Sequence, residues 1–239
     1  MKIALVGYGK MGEQVEIVAT ETKDKIVAYI DEPNDWKKYA DKIKTADVAI
    51  EFSTPQSVID NIYHCFELDI PIVVGTTGWY NEIAMIRETC LKNNQSLLYA
   101  SNFSLGVNLF FALNRYLANL MKNHENYDVS IEEIHHINKK DSPSGTAITL
   151  ANDIIKTIDN KKSWINEMND NSSELSIKSE RQSNNVGTHI VSYASEWDTI
   201  EIKHTSLSRK SFAIGAVQSA HWLIGKKGFF NINDMLNIK

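Results

Sequence analysis

The feature that most constrains the fold is Gly7-Tyr8-Gly9-Lys10-Met11-Gly12, which follows the apolar run Ile3-Ala4-Leu5-Val6. A G-x-G-x-x-G turn between a strand and a helix belongs to a parallel α/β sheet. Its first glycine makes the tight turn, its second lets the backbone approach a pyrophosphate, and its third lets the helix lie close to the sheet. Asp31 ends the second apolar run nineteen residues past Gly12, where a carboxylate meets the hydroxyls of an adenosine ribose. Gly7, Tyr8, Gly9, Lys10, Met11, Gly12 and Asp31 are therefore expected to bind a dinucleotide.

The first hundred residues keep this rhythm. Apolar runs at 2–6, 26–30, 48–52, 72–74 and 96–100 alternate with helical patterns at 11–20, 36–43, 55–68 and 79–93, which predicts a Rossmann-type, doubly wound parallel sheet. Pro55 suits the first turn of its helix, where its missing N–H costs nothing. Gly75-Thr76-Thr77-Gly78 and Ala100-Ser101-Asn102-Phe103 follow the fourth and fifth strands, at the edge where open α/β sheets bind ligands. Gly75, Thr76, Thr77, Ala100, Ser101, Asn102 and Phe103 are expected around the nicotinamide half. Asp31, with Glu32 beside it and no Arg adjacent, would repel a 2′-phosphate, so NADH is the expected cofactor, with NADPH the other option if Lys10 reaches that phosphate.

The pattern changes after Phe103. Helices are expected at 106–122 and 144–158, and strands at 128–138, 175–180, 188–195 and 199–205, the last three as an antiparallel meander. This is a second, α+β domain carrying a mixed or antiparallel sheet. The polar stretch 160–174 reads as a surface loop or mobile flap. A helix at 209–224, with small residues Ala213, Gly215, Ala216 and Ala220, is expected to return to the first domain. The expected division is 1–104 with 209–239 for the dinucleotide, and 105–208 for the substrate.

Composition narrows the partners. With 239 residues, 43% of them hydrophobic, the chain can bury a sizeable core. Its net charge of −5 is spread along the sequence, which argues against nucleic acid and anionic membranes and for a small-molecule partner. No window approaches the roughly 18 apolar residues of a membrane helix, and Met1-Lys2 leads straight into a strand, so a cytoplasmic protein is expected. Cys65 and Cys90 lie in amphipathic helical patterns and read as buried, reduced thiols.

The chemistry concentrates between Glu133 and Thr146, in Glu-Ile-His-His-Ile-Asn-Lys-Lys-Asp-Ser-Pro-Ser-Gly-Thr. Two imidazoles and two ammonium groups can bind carboxylates and move protons, and Ser144-Gly145-Thr146 opens an apolar helix whose free N–H groups suit an anion. On a regular strand Glu133 and His135 face one side and His136 the other. The pleat is therefore expected to break before the 139–143 loop. His189 and His204 read as sheet histidines, and no metal is expected because no Cys or carboxylate accompanies them at useful spacing. Arg181 and Arg209 are candidates for substrate anions or for salt links.

Gly7–Gly12, Gly75–Gly78, Asn102–Asn108, the His-His-x-x-Lys-x-Asp-x-Pro-Ser-Gly-Thr stretch and Val186-Gly187-Thr188-His189 together resemble the 4-hydroxy-tetrahydrodipicolinate reductase (dihydrodipicolinate reductase) family over nearly the whole chain. The resemblance implies NAD(P)H-dependent reduction of a cyclic dicarboxylate in lysine and diaminopimelate biosynthesis. It implies His135 as acid/base, Lys139 as proton donor, and His136, Gly145 and Thr146, joined by Ser144, as substrate-binding positions. It also implies a homotetramer joined through the second domain's sheet. The chain departs from the family pattern at Arg181-Gln182-Ser183-Asn184-Asn185, where an Arg-Gly step is usual, and its second domain is short.

Overall fold

The computed structural model describes residues 1–238, and the chain divides into two compact units, Met1–Leu105 with the segment from Arg209 onward, and Gly106–Ser208. The first unit begins with β1 (Lys2–Val6), α1 (Lys10–Glu21), β2 (Lys25–Ile30), the short helices α2 (Asp35–Lys38) and α3 (Ala40–Ile43), and β3 (Val48–Glu51). It continues with α4 (Val58–Glu67), β4 (Ile72–Val74), α5 (Ile83–Lys92) and β5 (Ser96–Tyr99). The second unit is α6 (Leu105–Met121), β6 (Asp128–His135), α7 (Gly145–Ile155), β7 (Ser163–Ile165), β8 (Glu174–Arg181), β9 (Gly187–Ala194) and β10 (Thr199–Ser206). The chain then re-enters the first unit through α8 (Lys210–Leu223), β11 (Gly228–Asn231) and α9 (Ile232–Leu236).

The first sheet has six strands in the order β11-β5-β4-β3-β1-β2, every pair parallel. Side chains of successive strand residues point to opposite faces, and the core divides accordingly. Ile3, Leu5, Ile50, Val73 and Leu98 pack with α1 and α8. Ala4, Val6, Ala49, Ile72 and Val74 pack with α3, α4 and α5 on the other face. This is the doubly wound arrangement, with Cys65 and Cys90 buried as free thiols. The small face of α8 is needed. A Cβ at Gly215 would stand 1.8 Å from the Phe103 carbonyl oxygen, so no larger residue fits without moving the helix.

The second sheet has five strands in the order β10-β9-β6-β8-β7. β9 is antiparallel to both β10 and β6, whereas β8 is parallel to β6 and to β7. The sheet is mixed, and the expected meander of its last three strands is corrected: β6 lies between β8 and β9, and only β9 and β10 form a hairpin. Val129, Ile131, Leu175, Ile177, Val191 and Tyr193 pack against α6 and α7. The opposite face carries Ser130, Glu132, Ile134, Ile190 and Ser192, all half-buried.

Other local expectations also shift. The 36–43 pattern breaks into α2 and α3 at Tyr39. Pro55 precedes α4, whose N-cap is Ser57. Within 160–174, residues 163–165 form β7 and Lys161 is buried, donating to Glu174 O at 2.9 Å and pairing with Asp128 at 2.6 Å, while 166–173 form the irregular, mostly exposed surface loop expected there. β11 and α9 lie in a stretch for which no element was expected. No helix among the described residues is long and apolar enough to cross a membrane.

Candidate active site

In the first unit the glycine turn is built for close approach. Gly7 has φ +84°, a region that disfavours a side chain, and a Cβ there would meet Phe52 O at 2.3 Å. A Cβ on Gly12 would meet Gly7 O at 2.5 Å, whereas one on Gly9 would meet nothing within 4 Å. Gly9 therefore borders open space at the start of α1, whose N-terminus carries no side-chain cap and so keeps N–H groups for an anion. Tyr8 N–H donates to Asp31 Oδ1 at 2.8 Å, which locks the carboxylate that follows β2 beside the turn. The Tyr8 hydroxyl donates to Glu16.

A cavity of about 460 Å³ opens along this strand edge, bounded by Gly9, Lys10, Met11, Ser53, Thr76 and Thr77. Ser53 also borders a smaller recess of about 100 Å³ that includes Asp31, Trp36 and His64. The two recesses make a path along the carboxyl ends of β4, β3 and β2. A dinucleotide held along such a path would have Asp31 at its ribose end. The cradle is consistent with the cofactor the fold implies, because Gly9 leaves open the space that a side chain there would enter, beside the uncapped start of α1.

The third strand-end turn, Phe52-Ser53, was missed by the sequence reading. Phe52 fixes two glycines at once, since a Cβ on Gly75 would strike its ring at 2.0 Å. Its position one residue beyond a strand at the same edge was the available signal. Glu51, just before it, is fully buried. Burial pushes its carboxyl above the usual range, against the hydrogen bonds from Ser53. Of the fifth-strand candidates, Ser101 is exposed and Asn102 accepts from Ser104 N at 2.8 Å. Ala100 and Phe103 are buried in the core, Phe103 with its ring 5.8 Å from that of Phe52. The side chains of these two belong to the core of the first unit.

In the second unit the expected break in the pleat occurs at the end of β6, after His135. His135 and Glu133 are both buried, on the helix-facing side of the sheet. His189 reaches them from β9, which pairs Glu133 with His189 in register. His135 Nε2 lies 3.3 Å from His189 Nε2, and Glu133 Oε2 lies 3.5 Å and 3.6 Å from these two atoms. His189 is thus accompanied by a carboxylate after all, brought to it by the sheet and invisible in linear spacing. The three donors lie within 4.8 Å of one another, a set that a transition metal accepts in other proteins. Here the chain itself saturates the carboxylate: Ser144 N–H donates to both oxygens at 3.1 Å, and the Ser179 hydroxyl to Oε1 at 2.9 Å.

Burial raises the Glu133 carboxyl, but hydrogen bonds from His135, His189, Ser144 and Ser179 outweigh it and hold the group far below the usual carboxylate range. Burial lowers His189, with Glu133 opposing. Ser144 caps α7, its Oγ accepting from Ala147 N and lying 3.1 Å from His189 Nε2. Ser144 is therefore turned inward, a correction to its expected place against a ligand. Gly145 and Thr146 follow it at the helix start, and a Cβ on Gly145 would meet nothing within 4 Å.

The loop between β6 and α7 carries the cations. Lys139 Nζ is 2.8 Å and 2.9 Å from the Asp141 carboxylate oxygens, which holds Asp141 below its ordinary range. Arg181 donates to Asp141 O at 2.7 Å and to Glu180 O, with its guanidinium 3.7 Å from Glu133 Oε1. Its donors brace the loop. His136 follows the strand, half-buried, with Nδ1 buried and unpartnered. Arg209 is the N-cap residue of α8, and His204 pairs in register with His189 across the β9–β10 hairpin.

A parallel six-stranded sheet with a glycine turn, a cavity along its carboxyl edge, and a second unit holding a buried imidazole–carboxylate cluster define an NAD(P)H-dependent oxidoreductase of the two-unit Rossmann class. Residues 1–103 match the family model for the dihydrodipicolinate reductase N-terminus, and 106–236 that for its C-terminus. The chain belongs to the dihydrodipicolinate reductase family. It is 47% identical to a 4-hydroxy-tetrahydrodipicolinate reductase of Christiangramia forsetii, over 99% of this chain and 98% of that one. It is 33% identical to the enzyme of that name from Campylobacter lari, over 96% of each. A solved dipicolinate-bound dihydrodipicolinate reductase from Paenisporosarcina sp. TG-14 shares the fold, with TM-score 0.79 and 22% identity over 98% of this chain and 99% of that one.

Proposed function

We propose that the chain reduces 4-hydroxy-tetrahydrodipicolinate to tetrahydrodipicolinate with NAD(P)H and a proton, the ring hydroxyl leaving as water, as a step of lysine and diaminopimelate biosynthesis in the cytoplasm. The observation that carries the reading is the segment from Glu133 to Thr146, which joins a buried proton-handling cluster to a helix start and two lysines. Reduced nicotinamide, when bound, supplies the hydride. The chain's own part is to hold the ring, exclude water and move protons.

His135 is the acid/base of this reading and Lys139 the proton donor. A conjugated imine accepts hydride more readily when its nitrogen is protonated, and a nearby acid meets that need. His136 and the N–H groups of Gly145 and Thr146 bind the substrate's carboxylates, for which a helix N-terminus is suited. Residues 105–208 form the substrate domain; 1–104 with 209–239 form the cofactor domain, where Gly7 to Gly12, Thr76, Thr77, Ser101 and Asn102 frame the cofactor.

NADH is the preferred cofactor and NADPH the poorer one. Asp31 stands beside the glycine turn with Glu32 next to it, and two carboxylates there oppose a 2′-phosphate. A homotetramer forms through the second sheet, whose half-buried face carries no helix of its own unit and presents Ile134 and Ile190 among polar residues. Coupling the protein to a synthase that makes the unstable substrate, and following absorbance of each cofactor, tests the reading. Synthase-dependent oxidation, faster with NADH, is expected; no oxidation of either cofactor overturns it.

A further inference from the structure

We infer that Glu51 is a positioning residue for the cofactor's adenosine half: through Ser53 and Asn61 it holds the Trp36 ring as a wall of the recess beside Asp31. The inference rests on the NAD(P)H site and is read by cofactor binding alone, so it stands or fails apart from the proposed reduction.

Side chains from α2, α4 and the end of β3 form one line of hydrogen bonds. The Trp36 ring N–H donates to Asn61 Oδ1 at 3.1 Å. An indole N–H only donates, so the Asn61 amide is turned with Nδ2 toward Ser53, donating to its Oγ at 3.1 Å. The Ser53 hydroxyl donates in turn to Glu51 Oε1, which also accepts Ser53 N–H at 3.0 Å. Every side-chain donor in the line points the same way, and the line ends on a carboxyl that is fully buried at the last residue of β3. Burial favours the neutral form of Glu51. A protonated carboxyl keeps one oxygen that only accepts, so the line holds in either charge state.

At its other end the line reaches a surface that a ligand can touch. Trp36, Ser53 and Asn61 all border the recess of about 100 Å³ that includes Asp31, and Ser53 also borders the larger cavity. His64 completes the aromatic side of the recess, its ring centroid 4.8 Å from that of Trp36. The described lining residues include the carboxylates Asp31, Glu32 and Asp60, and neither lysine nor arginine. Such a lining opposes phosphate and suits a flat, uncharged ring that carries an amine, which is the chemistry of adenine. Asp31 is the carboxylate expected to take the ribose hydroxyls, which leaves the aromatic wall to the base. Trp36 depends on the line for its place. Its helix, α2, has four residues, too few to fix a side chain by themselves, and the one polar atom of its ring is committed to Asn61.

The test titrates the full chain with NADH and with reduced nicotinamide mononucleotide, which lacks the adenosine half. Trp36→Leu is expected to raise Kd for NADH about 5- to 50-fold, as loss of a base-stacking ring does, and Trp36→Phe to recover most of that. Asn61→Leu, which cuts the line, should raise it about 3- to 10-fold. Both should leave Kd for the mononucleotide within about twofold, whereas general loosening of the fold would weaken both ligands. Glu51→Leu should weaken NADH binding as Asn61→Leu does, and Glu51→Gln, whose amide oxygen still accepts from Ser53, should bind like the wild type. In the ligand-free protein the Trp36 indole N–H resonance, assigned with Trp36→Phe, should move in Ser53→Ala and Glu51→Leu and stay in place in Glu51→Gln. If Glu51→Leu does not fold, the resonance in Ser53→Ala decides. Unchanged NADH affinity in Trp36→Leu or Asn61→Leu, equal loss for both ligands, or an indole resonance indifferent to Ser53→Ala overturns the inference. A wild type that binds neither ligand places the failure in the cofactor reading instead.

Discussion

The Nε2 atoms of His135 and His189 face each other at 3.3 Å across neighbouring antiparallel strands, with the Glu133 carboxylate beside both. The chain brings them together from positions more than fifty residues apart, and their roles separate by measurement.

His135 is buried in this cluster, while His136, one residue on, lies outside it. His135→Gln should lower kcat by about 10²- to 10⁴-fold with little change in KM, as loss of an acid/base group does. His136→Gln should chiefly raise KM for the substrate. Steady-state kinetics in the synthase-coupled assay decide between them; the reverse pattern would exchange the two roles.

Acid sensitivity should have two sources. Glu133 folds with its pKa depressed, so its contribution to stability is present above the unfolded value, near 4.3, and is lost as pH falls further. His189 is also depressed; the unfolded chain takes up its proton first, so stability declines as pH drops below about 6.5. Melting temperatures across acidic pH should therefore fall in two stages. Glu133→Gln should flatten the lower stage and His189→Gln the upper.

Asp31 accepts the Tyr8 N–H and borders the smaller recess of the strand-edge path. Asp31→Ser removes the repulsion of a 2′-phosphate and the acceptor for ribose hydroxyls together. The ratio of kcat/KM for NADH over NADPH should fall by about tenfold or more, a shift of about 1.4 kcal/mol. An unchanged ratio would take cofactor choice away from Asp31.

Gly215 lies against the Phe103 carbonyl, where an added Cβ would stand at 1.8 Å. Gly215→Ala improves helix propensity but overpacks this contact, and the steric term should dominate, costing about 1–3 kcal/mol. Thermal unfolding measures it. A more stable variant would mean that α8 shifts freely over the sheet.

Much of the fold was legible because its signals are local. The glycine turn, the alternation of apolar runs and helical patterns, and the small residues of α8 all act within a few turns of chain. Partners across a sheet are not local, which is why β8 and β9 read as neighbours when β6 lies between them. β7 escaped notice because its three residues, half-exposed at the sheet edge, sit in a polar stretch. The site divided along the same line. His135, His136 and Lys139 stood out by composition, but the pairing of Glu133 with His189 depends on strand register. Ser144 looked like an anion donor because a helix start exposes N–H groups; that its own N–H is taken by Glu133 follows only from the fold.

β6 is bonded on both edges, parallel to β8 and antiparallel to β9, and it delivers His135 at its last residue. Its amides should therefore be among the slowest in the unit to exchange with deuterium, while those of 136–143 exchange quickly. Grafting a different loop between β6 and α7 would then alter what the protein recognises and leave the imidazole anchored, so new ligand preferences are most readily sought by varying that connection.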